Sequence, residues 1–274
     1  GTLSPGSRRL SSLVRSFFGG VLSMLDANAP LSAEDAARFR TLSRGAVEIV
    51  EAGDTRFDQV CRRIDASDAK LPPGAIAAAG RTWIVAGSTW PRDEEIVIPG
   101  FAALKRAHPD AGLIIVPHEP TRERLDAIRE TLGKAGLPFR MLSSLKDEAG
   151  LVEPVVVADG VGYLAELYRA GALAYVGGSF TTGVHNVMEP AVLKLPVFFG
   201  PRIDNSFEAR ELVRLEAAAI LSTADDFARE CNALLSDRKQ LEEKGASAAQ
   251  FIRNHCGAAL RCVHLIEKYL DRKR

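Results

Sequence analysis

Between Trp83 and Leu221 the chain repeats a single pattern, and that pattern constrains its fold more than any other feature. Runs of three or four mostly apolar residues recur at Trp83–Ala86, Leu113–Val116, Phe139–Leu142, Val155–Ala158, Leu173–Val176, Val197–Phe199 and Ala218–Leu221. Helical patterns fill most of the gaps, over Asp93–Ala107, Arg122–Ala135, Tyr163–Ala170, Pro190–Lys194 and Phe207–Leu215. Short runs without polar alternation are the mark of strands buried on both faces. Parallel neighbours need crossover connections, which the intervening helices supply. The spacing therefore predicts an α/β fold, a doubly wound parallel sheet with helices on both faces. Ligands of such sheets sit beyond the carboxyl ends of the strands.

The richest of those ends is Gly177-Gly178-Ser179-Phe180-Thr181-Thr182-Gly183-Val184-His185-Asn186-Val187-Met188-Glu189-Pro190. It lies between a buried strand and a helix start. Its glycines let backbone approach a ligand closely, and a helix start favours an anion. Asn186 and Glu189 add side-chain acceptors at the same mouth. A purely structural reading stands beside this one. Asn186 can cap the helix with Glu189 as its capping-box partner, or the helix can begin at Pro190 with Glu189 as the cap. A cap alone accounts for neither the paired glycines nor His185.

Four further loops fall at strand ends. Gly87-Ser88-Thr89 offers hydroxyls for a phosphate, or ordinary capping before Pro91. Pro117-His118-Glu119-Pro120-Thr121-Arg122 offers His118 and Glu119 to a base or ribose and Arg122 to an anion, or is a polar turn. Asp159-Gly160 with Tyr163, and Gly200-Pro201-Arg202-Ile203-Asp204-Asn205, complete the edge. Five such loops on one sheet edge favour a composite site over any single motif.

The 35 basic and 35 acidic residues balance, so no basic field points to nucleic acid. No apolar run reaches the length of a membrane span. No signal peptide is visible, and the chain starts at Gly1 without an initiator Met, as a processed piece of a longer protein would. Cys61, Cys231, Cys256 and Cys262 lack metal or redox spacing and read as reduced thiols of a cytosolic protein. No metal set, Walker loop or Ser-His-Asp order is present, and His255 and His264 read as packing or surface residues. Ser12–Leu25, preceded by Arg8 and Arg9 and containing Arg15, reads as an amphipathic helix that either touches a membrane surface or packs on a neighbour. Ser32 caps a helix with Glu34 and Asp35 in its first turn. Val47–Val50 reads as a strand, Gly53–Asp58 as a turn into a helix over Gln59–Ile64, and Ala66–Gly80 as a connecting loop with a short helix. The tail is helical over Asp225–Leu235 and Arg238–Leu270, with a break at Asn254–Gly257.

The Gly177–Pro190 stretch resembles the signature of the Kdo (3-deoxy-D-manno-octulosonic acid) transferases, inverting glycosyltransferases of lipopolysaccharide assembly. Their pattern is Gly-Gly-Ser-Phe, a short glycine spacer, then His-Asn-x-Leu-Glu-Pro. Further matches follow in family order: Ser32–Phe39, Gly53-Asp54-Thr55-Arg56-Phe57-Asp58, Ala86-Gly87-Ser88-Thr89 with Glu94-Glu95, Asp159–Gly162 with Leu167-Tyr168, and Gly200-Pro201. Two departures stand out. His118-Glu119 falls where the family often has Pro-Arg-His, and Val184 where a second glycine is common.

The resemblance implies a GT-B fold of two Rossmann-like domains with the donor, CMP-Kdo, held by the C-terminal one. No separate cofactor and no metal are implied. Residues 1–57 would be the remnant of the N-terminal acceptor domain and linker, 58–245 the donor-binding domain, and 246–274 the crossover helices. Ser88, Thr89 and the loop of Gly177, Gly178, Ser179, Phe180, Gly183, His185 and Asn186 would hold the CMP phosphate. Glu189 would contact ribose or sugar hydroxyls, Arg56 the donor's carboxylate or phosphate, and His118 and Glu119 the nucleotide. The acceptor implied is a lipid A precursor at the cytoplasmic face of the bacterial inner membrane. That surface would be reached through the rest of the N-terminal domain, which also holds the general base. This chain is then expected to be a soluble, catalytically incomplete part. A GT-B-like nucleotide-sugar 2-epimerase and a non-catalytic nucleotide-binding module are the alternatives.

Overall fold

The segment expected to be helical over Ser12–Leu25 forms α1 (Ser12–Leu22). The structure, a computed structural model, describes residues 2–3, 6–66, 74–145 and 150–271, and these divide into two compact units, Gly1–Arg62 with Arg253–Arg274, and Arg63–Ile252. In the first unit α1 lies against α2 (Ala33–Ser43) so closely that a Cβ on Gly19 would stand 2.7 Å from the Leu42 carbonyl oxygen. Ser32 caps α2 as its sequence implies, accepting from the Asp35 amide at 3.1 Å. Asp35 in turn accepts from the Leu3 amide at 2.8 Å, which seats Leu3 against Phe39 and Leu42. Two short strands, β1 (Ala27–Asn28) and β2 (Glu48–Ile49), pair in parallel. The first of these was not expected, since two residues carry no periodicity. Helix α3 (Thr55–Asp65) begins at Thr55 rather than Gln59. Asp54 accepts from the Arg56 amide at 2.9 Å and so gives the helix start an acceptor that the glycine-led turn pattern concealed.

The second unit holds the sheet. In chain order its elements are α4 (Gly74–Ala78), β3 (Thr82–Thr89), α5 (Pro91–Leu104), β4 (Ala111–Pro117), α6 (Arg122–Lys134), β5 (Phe139–Met141), β6 (Val155–Val157), α7 (Leu164–Tyr168), β7 (Gly171–Val176), α8 (Met188–Val192), β8 (Val197–Phe199), α9 (Phe207–Arg214), β9 (Ala218–Ile220), α10 (Ala224–Ser236) and α11 (Arg238–Asn254). The seven strands are parallel in the order β5-β6-β4-β3-β7-β8-β9. Each predicted strand is present with its ends moved by three residues or fewer. Side chains divide by the period of two. Ile84, Ala86, Leu113, Ile115 and Tyr175 enter the core beneath α5, α6 and α10. Trp83, Val85, Ile114, Val116 and Ala174 enter the opposite core with Leu167 and Tyr168 of α7. Chain order reverses at β3, between β4 and β7, which is where this architecture places a ligand.

The tail breaks where the sequence places it, between α11 and α12 (Ala258–Asp271). The compact units divide at Arg62/Arg63 and at Ile252/Arg253, not at 57/58 and 245/246, and both chain ends share one unit. Helix α11 runs past 245 because Ala248, Ala249, Phe251 and Ile252 are buried, with Phe251 beside the Phe207 ring. In the first unit the Asp58 carboxylate accepts from the Gly257 amide at 2.6 Å, and Arg261 Nε donates to the Ala52 carbonyl at 2.8 Å. Cys61 and Cys256, far apart in sequence, meet here with sulfurs 2.7 Å apart. Burial, then the Cys61 neighbour, pushes the Cys256 thiol up to about 12.

Candidate functional site

Because β3 and β7 are neighbours, the loops that leave their carboxyl ends must share one place. The two loops are fastened to each other by a buried carboxylate. Asp93, in the first turn of α5, is fully buried and accepts three hydrogen bonds: from the Trp90 amide at 2.8 Å, the Gly178 amide at 3.0 Å and the Tyr175 hydroxyl at 2.7 Å. The Gly177 amide donates to the Gly87 carbonyl at 2.9 Å. A Cβ at Gly177 would stand 2.3 Å from the Ser88 carbonyl oxygen, so glycine is required there. Ser88 itself holds φ at 53°, in the left-handed region that a residue with a Cβ occupies only when its surroundings enforce it.

The rest of the glycine-rich loop is held by its own backbone. The Thr181 and Gly183 amides donate to the Gly178 carbonyl, and the His185 amide to the Gly177 carbonyl. Asn205 grips Val184 from the loop after β8, accepting from its amide at 3.1 Å and donating to its carbonyl at 2.9 Å. Gly183 has φ 113°, with Asn205 Oδ1 2.4 Å from where a Cβ would stand. These amides are committed inside the protein, so the loop presents an anion with fewer backbone donors than its glycines suggest. The helix that follows is short, and it starts at Met188, with Glu189 and Pro190 in its first turn rather than ahead of it. Asn186 Oδ1 accepts from the Met188 amide at 3.0 Å, but the cap position falls on Val187 and no capping box with Glu189 forms.

Three rings stand together over this mouth. The indole Nε1–H of Trp90 donates to His185 Nε2 at 3.0 Å, and the two rings are nearly parallel, 7° apart. His118, from the turn after β4, stacks on both, 4.5 Å from His185 and 4.9 Å from Trp90. The His118 amide bonds the Thr89 carbonyl, which ties that turn to the end of β3. Burial, then the proximity of His118, holds the His185 imidazole below its usual range against the opposing pull of Asp93.

The structure sorts the other expected residues. Thr89 is 1% exposed and its hydroxyl donates to Glu94 Oε1 at 2.8 Å, so it braces the site from beneath instead of meeting a ligand. Glu94 also pairs with Arg124, yet burial pushes its carboxyl up to about 7 against that pull. Ser179 is fully buried, and its Oγ has no hydrogen-bond partner among the described residues. Phe180 packs over Gly200, with the Arg92 guanidinium 5.9 Å above its ring. Glu119 is exposed on its turn. Glu189 accepts from Arg63 Nη1 at 2.8 Å; burial raises its carboxyl, Arg63 lowers it, and Glu166 raises it again. Arg56 lies in the other compact unit, where Asp54 binds its Nε at 2.8 Å. Sequence reasoning overlooked Asp93, Trp90, Arg124 and Arg63, and gave Asn205 no role. Asp93 had one signal, an acid three residues after Trp90 with Pro91 between them, the spacing of a side chain reaching back to a helix start.

A seven-stranded parallel sheet covered on both faces, with a braced glycine-rich loop at its switch point, gives the chain the Rossmann-like parallel α/β architecture of a GT-B C-terminal domain. The C-terminal CMP-Kdo binding domain of WaaA from Acinetobacter baumannii shares this fold, with TM-score 0.56 and 24% identity over 71% of this chain and 96% of that one. So does S. aureus MnaA in its co-structure with UDP, with TM-score 0.60 and 15% identity over 98% of this chain and 66% of that one. By sequence the chain is similar to the 3-deoxy-D-manno-octulosonic acid transferases. It is 29% identical over 245 residues to that of Haemophilus influenzae, covering 86% of this chain and 55% of the relative. It is 25% identical over 259 residues to that of Rickettsia felis, covering 93% and 54%. No family model matches the chain, which spans about half the length of these curated relatives.

Proposed function

We propose that this chain is the donor-binding part of a Kdo transferase and holds CMP-Kdo at the carboxyl edge of β3 and β7. The observation that carries the reading is the Asp93 brace, which joins Gly178 of the glycine-rich loop to Trp90 at the switch point. In this reading Ser88 and His185 face the phosphate, His118 faces the nucleoside, and Glu189 accepts from ribose or sugar hydroxyls. Thr89, Phe180 and the loop glycines set the shape. The transfer is the inverting displacement of CMP by a hydroxyl of a lipid A precursor, at the cytoplasmic face of the inner membrane. An inverting step needs a general base on the attacking hydroxyl and stabilisation of the leaving phosphate. We assign the second to this chain and the first to residues of the longer relatives outside the matched span.

Calorimetric titration with CMP, CDP, UMP and UDP tests the assignment. Preference for CMP is the expected result. Preference for UDP would move the chain to the nucleotide-sugar epimerases or another transferase, and no binding of any nucleotide would favour an interaction module.

A further inference from the structure

Trp90 sits where it can decide which protons His185 carries. Its indole nitrogen is a donor and never an acceptor, and it points at His185 Nε2 from 3.0 Å. Nε2 must therefore be the unprotonated nitrogen, which leaves the proton of the neutral ring on Nδ1. Nδ1 has no partner among the described residues, and His185 is half-buried at the mouth. The Trp90 bond fixes which edge of the imidazole meets the indole, since a turned-over ring would set a carbon there, while His118 stacks on its face. An imidazolium would set one N–H against another at the Trp90 contact.

We propose that Trp90 is a positioning residue that locks His185 as a neutral Nδ1–H donor, aimed at an acceptor oxygen of the ligand, a phosphate oxygen if the nucleotide reading above is right. The inference rests on that reading for the identity of the acceptor and on the ring geometry alone for the lock. Two titratable groups face His185 and set the balance. His118, from the turn after β4, opposes a positive charge, and the buried Asp93 of α5 favours one. The indole contact tips the outcome to the neutral ring. The site then binds its anion through a directed hydrogen bond rather than a histidine cation, and lowering the pH does not strengthen the grip.

Long-range nitrogen–proton NMR on the 15N-labelled chain at pH 7 reads the tautomer directly, with His185 identified by its loss in His185→Gln. The expected result is a neutral ring protonated at Nδ1, with that nitrogen shifting when CMP is added. In Trp90→Phe the ring should take up a proton at a higher pH than in the parent, since the opposing indole N–H is gone while burial and His118 remain. The ratio of variant to parent CMP affinity should then rise by roughly threefold to tenfold between pH 7.5 and 5.5, a comparison in which the nucleotide's own phosphate titration cancels. A His185 protonated at Nε2, or doubly protonated, in the parent protein overturns the proposal without need of any variant. An Nδ1–H ring that survives Trp90→Phe overturns it as well. An Nδ1–H ring in a protein that binds none of the nucleotides supports the lock and refutes the nucleotide reading.

Discussion

Replacing Asp93 tests whether one buried carboxylate holds the site together. Asp93→Ala leaves three buried donors without an acceptor: the Trp90 amide, the Gly178 amide and the Tyr175 hydroxyl. Each unsatisfied donor costs about 1–3 kcal/mol, so the loss is at least about 3 kcal/mol, against a typical total of roughly 5–15. For a domain of this size that lowers the melting midpoint by about 6 °C or more. Asp93→Asn keeps the shape and one acceptor oxygen. Its oxygen can still accept from the Trp90 and Gly178 amides, which share one Asp93 oxygen, while its amide nitrogen meets the Tyr175 hydroxyl, which then accepts instead of donating. Charge-assisted bonds thus become neutral ones of about 1 kcal/mol each, partly offset by removing a buried charge. A fall of roughly 1–2 kcal/mol is expected. Tyr175→Phe removes one donor without touching the loops and should cost about 1 kcal/mol with nucleotide affinity unchanged. Burial, then the Asp93 charge, holds that hydroxyl well above the usual phenol range, so it remains a donor at any working pH. The chain's two tryptophans, Trp83 and Trp90, both lie in the sheet unit. Their fluorescence therefore follows this unit during heating, and CMP titration measures the site. The brace is refuted if Asp93→Ala melts within about 1 °C of the parent, or if Tyr175→Phe weakens CMP as much as Asp93→Asn does.

Glu94 should make the sheet unit less stable as pH rises. Burial pushes its folded carboxyl up to about 7, above the ordinary 4.5, so between those values the folded state keeps a proton that the unfolded chain releases. Stability then falls through that window, by at most about 3–4 kcal/mol, and the loss is complete above about 7. Glu94→Gln should remove that part of the slope, and urea midpoints of parent and variant at pH 5 and pH 8 check it; equal slopes would show that Arg124 keeps the group charged throughout. Glu189→Gln should weaken CMP-Kdo about tenfold, near 1.4 kcal/mol, with little change in melting, because Arg63 is 55% exposed and an ion pair so open to solvent contributes no more than about 1 kcal/mol. A lowered midpoint with unchanged affinity would assign Glu189 to Arg63 alone.

What the sequence determined by itself was everything that local periodicity and chain geometry control. Apolar runs such as Leu113–Val116 and Val155–Ala158 can be buried only as central strands, and the helices between them compel a parallel sheet. Gly177, Gly178 and Gly183 marked a loop that L side chains could not build, and two of them do hold positive φ beside atoms that leave no room for a Cβ. The tertiary structure decided which distant groups meet. Asp93 reaches Gly178 across 85 positions, Trp90 reaches His185 across 95, and Arg63 reaches Glu189 across 126. No periodicity encodes such pairs, and the first two depend on β3 lying beside β7, an adjacency set by sheet order and not by spacing along the chain. For the same reason Thr89 looked like a phosphate ligand in sequence and lies beneath the site in space. A hydroxyl at a strand end can turn toward solvent or toward a buried carboxylate, and only the position of Glu94 in the packed core settles which way it turns.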